Sequence, residues 1–287
     1  MFHFTESEDM LHRIAALIPV LFGPATLAAE EQAKFEVEKH KDLAYNSAKD
    51  ADPVRHKLDF YAPKGAKDYP VMMFVHGGAW RSGNKDLYVA LGENFAKQGI
   101  GTAVINYRLS GGKSTVKHPD HIQDVAKAFA WVKENCSKYG GDKNNLCISG
   151  HSAGGHLVAL LAMDKSYLKA ENCSTRDIRG VFAISGVYTI SPLVLGGIFG
   201  KDEEVCKVAS PVTHVKGKHP PFLIAYGKND FPFLDVMAED FGKKLKECKC
   251  DATVMKMDRD HFSIIISMAT KADDPLTKAM VEFMTKK

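Results

Sequence analysis

Gly150, His151, Ser152, Ala153 and Gly154 set a serine between two glycines, where an apolar run, LCIS, meets a helix-forming stretch, HLVALLAM. A serine hydroxyl placed there can act as a nucleophile if the backbone turns sharply enough to lift it clear of its neighbours. Such a strand-to-helix turn crowds the residues on either side, so the geometry needs glycine two positions before and two after the serine. In a chain of 287 residues with 23 Gly, the pentapeptide G-x-S-x-G is expected about 0.1 times by chance. The rest of the case therefore has to come from the elements around it.

Those elements alternate in type from Pro53 onward. Residues 54–61 (VRHKLDFY) alternate in polarity, as a strand on the outer part of a sheet does, whereas VMMFV (71–75) and GTAVINY (101–107) read as strands buried on both faces. Further strands are expected at VFAIS (181–185), FLIAY (222–226) and TVMKM (253–257). Helices are expected over 87–98, after the Ser152 turn, over 233–248 and over about 275–285. Another runs over 119–139, where Ile122, Val125, Ala126, Phe129 and Val132 recur at helical spacing between Pro119 and Gly140. This alternation predicts an α/β fold with a mostly parallel central sheet and helices on both faces. Ligands of such a sheet lie beyond the carboxyl ends of its strands. HGGAW (76–80), NYRLS (106–110), GKND (227–230) and RDHFS (259–263) each sit at the end of a predicted strand. A glycine loop, an acid and a histidine thus converge on the edge that carries Ser152.

Composition narrows the function classes. With 45% hydrophobic residues the chain can bury a sizeable core. Its 38 Lys and Arg are interspersed with 35 Asp and Glu and form no basic block, which argues against a nucleic-acid partner. Residues 1–29 differ from the rest: Ile14 to Ala29 form an apolar run behind His12 and Arg13. The run falls short of the roughly 20 residues a bilayer span needs, and Pro19, Gly23 and Pro24 would interrupt a helix. We read 1–29 as a signal peptide or N-terminal extension and 30–287 as a single α/β domain, with no stable membrane span. Cleavage would make the protein secreted or periplasmic; retention of the run would leave it cytoplasmic. Among six cysteines, Cys147 is expected to be a buried thiol, and Cys173 with Cys206 the pair to bridge in an exported protein. Cys248 and Cys250 form C-x-C without the second pair a zinc site would need.

GHSAGG and HGGAW together resemble the α/β-hydrolase superfamily, over most of the chain from about Leu58 to Phe283. HGGAW looks like the oxyanion loop of the hormone-sensitive-lipase-like esterases, with Ala79 where many members carry a third glycine. HGGAWRSGNK, NYRL and DHFSII are similar to small carboxylesterases of the feruloyl and acetyl-xylan esterase type, and to kynurenine formamidases. The resemblance implies an α/β-hydrolase fold with a small cap segment and a triad in the chain order Ser, acid, His, which Ser152, Asp230 and His261 satisfy. Asp235 competes with Asp230 for the acid, but lies on the predicted helix. Backbone N–H groups of Ala153 and of the loop Gly77, Gly78 and Ala79 would hold the developing oxyanion. No cofactor or metal is called for; His118 and His121 fall near a helix start without further ligands in view.

Substrate choice is less defined. Only about 35 residues separate VFAISG from PPFLIAYG, including the apolar SPLVLGGIFG. That suits a flap and not a large lid, hence short-chain or aromatic carboxylic esters, small-molecule substrates, with Trp80 and Tyr107 as pocket walls. A formylkynurenine-type amidase would use the same residues, and a non-catalytic binding protein would be expected to lack one of them. Oligomeric state is not specified by any of these features.

Overall fold

The computed structural model describes residues 34–286. The apolar run at 14–29, and the signal-peptide reading that rests on it, lie outside the described residues. Within them, eight strands form one sheet: β1 (Val37–Ala44), β2 (Lys57–Pro63), β3 (Tyr69–Val75), β4 (Gly101–Ile105), β5 (Gly141–His151), β6 (Gly180–Ile184), β7 (Phe222–Asn229) and β8 (Ala252–Asp260). They are ordered β1-β2-β4-β3-β5-β6-β7-β8. β1 and β2 are antiparallel to their neighbours, and all the strands from β4 to β8 run parallel. The mostly parallel sheet expected from the pattern is therefore present.

The 54–61 stretch, expected on the outer part of the sheet, forms β2, second from one edge, with Leu58 through Pro63 all buried and a further strand, which was not expected, on its flank. β1 takes the edge, with a mostly exposed pattern in VEKHKDLA that carries little of the hydrophobic signal by which strands are recognised. Asp59 inside β2 is paired instead of solvated: it binds the Lys85 ammonium at 2.9 Å.

Alternate side chains of the inner strands face two separate cores. Val71, Met73 and Val75 of β3 pack with Ile122, Val125 and Phe129 of a helix at Asp120–Asn135 and with Leu157 and Leu161 of a helix at Ala153–Met163. Met72 and Phe74 face the opposite layer, formed by Leu91 and Phe95 (helix Val89–Lys97), Ile264 and Met268 (helix Ser263–Thr270) and Met280 (helix Pro275–Thr285). In chain order we label Val89–Lys97 α1, Asp120–Asn135 α2, Ala153–Met163 α3 and Lys165–Ala170 α4; the later helices are Pro192–Phe199 (α5), Glu203–Val208 (α6), Leu234–Glu247 (α7), Ser263–Thr270 (α8) and Pro275–Thr285 (α9). The apolar stretch after β6 forms α5, and the charged segment that follows it forms α6; together they are the small cap the resemblance implied.

The chain leaves β3 for β4 on one side and later returns to β5 on the other, so the strand order reverses between β3 and β5. The crevice at that reversal is where a doubly wound sheet binds its ligand. The loop after β3 and the turn after β5 both open there. Cys147 in β5 is buried, and burial pushes its thiol up to about 12. Cys173 and Cys206 are both free thiols, which corrects the expected bridge. The Cys206 sulfur is held against the Gly200 carbonyl in the cap, whereas Cys173 lies in the turn after α4.

Candidate active site

Ser152 joins β5 to α3 with φ 56 and ψ −118, a backbone conformation that a side chain tolerates only when its surroundings impose it. Its N–H donates to the Ile184 carbonyl at 2.8 Å, tying the turn to the end of β6. The flanking glycines are required by contact. A Cβ on Gly150 would come within 2.3 Å of the Gly154 carbonyl oxygen, and one on Gly154 within 2.0 Å of the Val75 carbonyl oxygen. The turn thus packs directly on the end of β3, and α3 points its N-terminus at the serine.

Asp230 and His261 follow the next parallel strands. Asp230 directly follows β7, and His261 directly follows β8. His261 Nδ1–H donates to Asp230 Oδ1 at 2.6 Å. The other carboxylate oxygen accepts from Ser185 Oγ–H at 2.6 Å and from the Gly227 N–H at 3.0 Å. Phe231 N–H donates to Oδ1 at 2.8 Å. Burial pushes the Asp230 carboxyl up, but the hydrogen bond and charge of His261, with the Ser185 and Gly227 donors, outweigh it and hold the group at about 2. The carboxylate is therefore ionised at any working pH and fixes the Nδ1–H tautomer of His261, leaving Nε2 to take a proton. Asp235, the competing acid, lies exposed in the first turn of α7, where a carboxylate favours the helix dipole.

The glycine loop after β3 is held from below. His76 is fully buried, its Nδ1–H donates to the Gly77 carbonyl at 2.7 Å, and burial lowers its pKa to about 4. It stacks on Tyr107 with centroids 4.4 Å apart, and the Tyr107 hydroxyl donates to the His76 carbonyl at 3.1 Å. Tyr107, expected as a pocket wall, is instead buried beneath the loop, because stacking on His76 and bonding its carbonyl satisfy both the ring and the hydroxyl there. Gly77 is corrected too: its N–H donates to the Tyr88 hydroxyl at 3.3 Å and is not free for an oxyanion. Among the described residues, the N–H groups of Gly78, Ala79 and Ala153 have no backbone or side-chain acceptor. Ala79 holds φ 52, which explains why a glycine suits this position.

Ser152, His261, Gly78, Ala79 and Trp80 open onto one cavity of about 630 Å³. Its walls are apolar: Val187, Leu195, Phe231, Met237, Phe262 and Ile265 among them. Phe231 stacks on His261 at 4.1 Å between centroids. Trp80 lines this cavity, anchored by its indole N–H on His156 Nδ1 at 3.3 Å. Ser152 Oγ makes no hydrogen bond among the described residues, as is common for nucleophiles that meet their base only once substrate is bound. His151 and His156 flank the turn as supports: His151 donates to the His261 carbonyl and His156 to the Ala209 carbonyl, each at 2.8 Å. Burial lowers the pKa of both to about 3.

A family model named BD-FAE matches residues 58–245. The chain belongs to the BD-FAE family. This family stretch contains Ser152, Asp230 and the whole glycine loop, while His261 lies beyond it. Among relatives, a probable carboxylic ester hydrolase, LipM of Mycobacterium tuberculosis, is 36% identical over 181 residues, covering 56% of this chain and 41% of LipM. A probable isoprenylcysteine alpha-carbonyl methylesterase of Oryza sativa is 34% identical over 272 residues, covering 85% of this chain and 63% of that protein. The chain thus spans about half the length of these relatives. Esterase B of Lactobacillus rhamnosis superimposes with a TM-score of 0.74 at 20% identity, covering 97% of this chain and 93% of that one. A carbohydrate esterase from gut microbiota gives 0.73 at 22% identity, covering 88% and 97%. These folds agree with the α/β-hydrolase architecture of the BD-FAE member.

Two site residues escaped the sequence reading. Ser185 directly follows β6 and bonds Asp230; the strand-end rule that found Asp230 applies to it equally. Tyr88, which carries the Gly77 N–H, stands just before α1 and has no such signal.

Proposed function

We propose that this protein is a serine hydrolase that cleaves carboxylic esters with short-chain or aromatic acyl groups through an acyl-enzyme. The observation that carries the reading is the Ser185–Asp230–His261 hydrogen-bonded chain opening onto the same apolar cavity as Ser152 and the unpaired N–H groups of Gly78, Ala79 and Ala153. In the first step Ser152 Oγ bonds to the ester carbonyl carbon while His261 Nε2 takes the hydroxyl proton. The carbonyl oxygen becomes an oxyanion held by the three N–H groups, each worth about 2.7–4 kcal/mol in the transition state. The C–O bond to the alcohol then breaks, and His261 returns the proton to the departing oxygen. Water repeats the sequence on the acyl-serine and releases the acid.

The cavity's size fits an acyl group up to a substituted aromatic ring, within the usual range of about 300–1,000 Å³ for small-molecule sites. Phe231, Phe262 and Trp80 on its walls also suit the aromatic part of a formylkynurenine-type amide, the second reading. The names of relatives weigh toward esters. The decisive measurement is Ser152→Ala against p-nitrophenyl butyrate, feruloyl and acetyl esters and formylkynurenine. Turnover of the preferred substrate should fall by about 10⁴-fold or more with unfolding unchanged; an unaltered rate would end the reading. Faster wild-type turnover of formylkynurenine than of every ester would favour the amidase.

Export is part of the same proposal and rests on the Ile14–Ala29 run. No helix among the described residues is long and apolar enough to cross a membrane. Sequencing the N-terminus of native protein checks export: a start near residue 30 supports cleavage, and a start at Met1 or Phe2 contradicts it.

A further inference from the structure

A second cavity, of about 610 Å³, lies on the other side of the glycine loop. Gly78 and Ala79 belong to the walls of both cavities. The second differs in chemistry: Arg55, Arg81 and Arg108 line it, with Ser82, Ser110 and Ser114 and a single carboxylate, Asp52. Arg108 is committed, its Nε and Nη2 donating to Asp124 at 2.8 and 2.7 Å. Asp52 is occupied locally, accepting the N–H groups of Val54 and Arg55 on one oxygen. Arg55 gives one N–H to the Gly83 carbonyl at 2.9 Å and forms no ion pair among the described residues. The exposed Arg81 side chain makes neither a hydrogen bond nor an ion pair among them. Its Nη2 stands 2.6 Å from where a Cβ of Gly197 would be, so it bridges from the glycine loop to the cap helix α5.

Two arginines without a carboxylate partner among the described residues line a cavity that shares its wall with the oxyanion loop, and a guanidinium can give an oxyanion two N–H donors. We propose that this cavity is a leaving-group subsite for an alcohol that carries an anionic oxygen group, carboxylate or phosphate, with Arg81 and Arg55 as its ligands. The inference rests on the esterase reading for its place in the reaction: the acyl part fills the apolar cavity, the carbonyl oxygen sits at Gly78 and Ala79, and the alcohol part extends past that loop toward Arg81. Gly197 is what admits the Arg81 side chain beneath α5, since any larger residue would displace it.

The test compares the butyrate esters of 3-hydroxybenzoate and 3-hydroxybenzamide, which differ in charge and little in shape. At about 20 mM salt, where screening is weak, wild-type kcat/KM should favour the carboxylate ester by about tenfold, and Arg81→Gln should bring the ratio close to one. A wild-type ratio of one or below, or a ratio that Arg81→Gln leaves intact, would overturn the proposal. Hydrolysis of p-nitrophenyl butyrate runs in parallel. If that ester and both test esters are inert, the esterase reading has failed, and calorimetric titration with 3-hydroxybenzoate and with phenyl phosphate decides the site by itself. Binding weakened about tenfold in Arg81→Gln sustains the subsite and names the preferred oxyanion, whereas no binding, or equal binding, rejects it.

Discussion

The two cavities on either side of Gly78 and Ala79 differ in almost every respect. One is walled by Val187, Leu195, Phe231, Met237 and Phe262, backed by neutral buried histidines, and contains Ser152 and His261. The other is lined by three arginines and three serines. Apolar walls lower the local dielectric, so charge developing on a carbonyl oxygen there would be felt strongly by the N–H groups that meet it. The polar side would, on the subsite proposal, discriminate by charge. On the two proposals, one short loop separates a site whose selectivity is set by volume from a site whose selectivity is set by electrostatics, with Gly78 and Ala79 as the wall they share.

The sharpest way to break the apolar side is Asp230→Asn. It keeps the shape but removes the charge that holds the His261 tautomer, and kcat should fall by about 10⁴. A loss of less than tenfold on p-nitrophenyl butyrate would remove Asp230 from the chemistry.

How far the sequence foresaw this arrangement depends on where the physical cause lies. Ser152 was legible because its neighbours must be glycine: the contacts of Gly150 and Gly154 with backbone oxygens forbid anything else. Asp230 and His261 were legible because parallel strands end on one edge, whatever their packing. Tyr107 was misread because a tyrosine at a strand end can face the cavity or the core, and stacking on His76, 31 positions away, decides between them. Ser185 stands where the strand-end rule applies, but a lone hydroxyl there does not announce that it bonds a carboxylate 45 positions away. β1 was missed for the related reason that an exposed edge strand shows no apolar pattern. The polar cavity was invisible for a third reason: Arg55, Arg81 and Arg108 are ordinary charged residues until the fold sets them around one space.

Acid should weaken the apolar side next. His151 and His156 are held neutral by burial, with folded pKa values of about 3, below the unfolded value of about 6.5. The unfolded chain therefore binds the extra protons. Their contribution to stability is complete above about pH 6.5 and is lost as pH falls toward 3. These two protons alone correspond to about 2.7 kcal/mol per pH unit between pH 6 and 5, and His76, His118 and His121, which burial holds at about 4, add to the slope in the same direction. Urea unfolding at several pH values measures this; a flat dependence across that window would mean the two imidazoles are not neutral behind the turn.

A smaller change tests whether volume sets acyl choice. Met237 lines the apolar cavity from α7, and Met237→Trp should shorten it. The ratio of hexanoate to acetate hydrolysis should drop about tenfold, since each buried methylene is worth about 0.8 kcal/mol. The preference for a charged leaving group should not move. If both preferences shift together, the two cavities are not independent and the loop between them is deformable.

That loop supplies the smallest and most discriminating effect. Ala79 holds φ 52, a left-handed conformation that disfavours a Cβ, so Ala79→Gly relieves about 1 kcal/mol of strain. The same change frees the unfolded chain and costs about 0.4–1 kcal/mol, so stability measured by urea should stay within about 0.5 kcal/mol of wild type. Any effect on rate would then report loop rigidity alone. Gly78→Ala is the control for the opposite sign: with φ 120, its Cβ would lie 2.2 Å from the Ser82 carbonyl oxygen, so the loop itself has to move. If Ala79→Gly lowers kcat as much as Gly78→Ala does, the oxyanion donors depend on the stiffness Ala79 imposes, and the strain at that residue is part of the site.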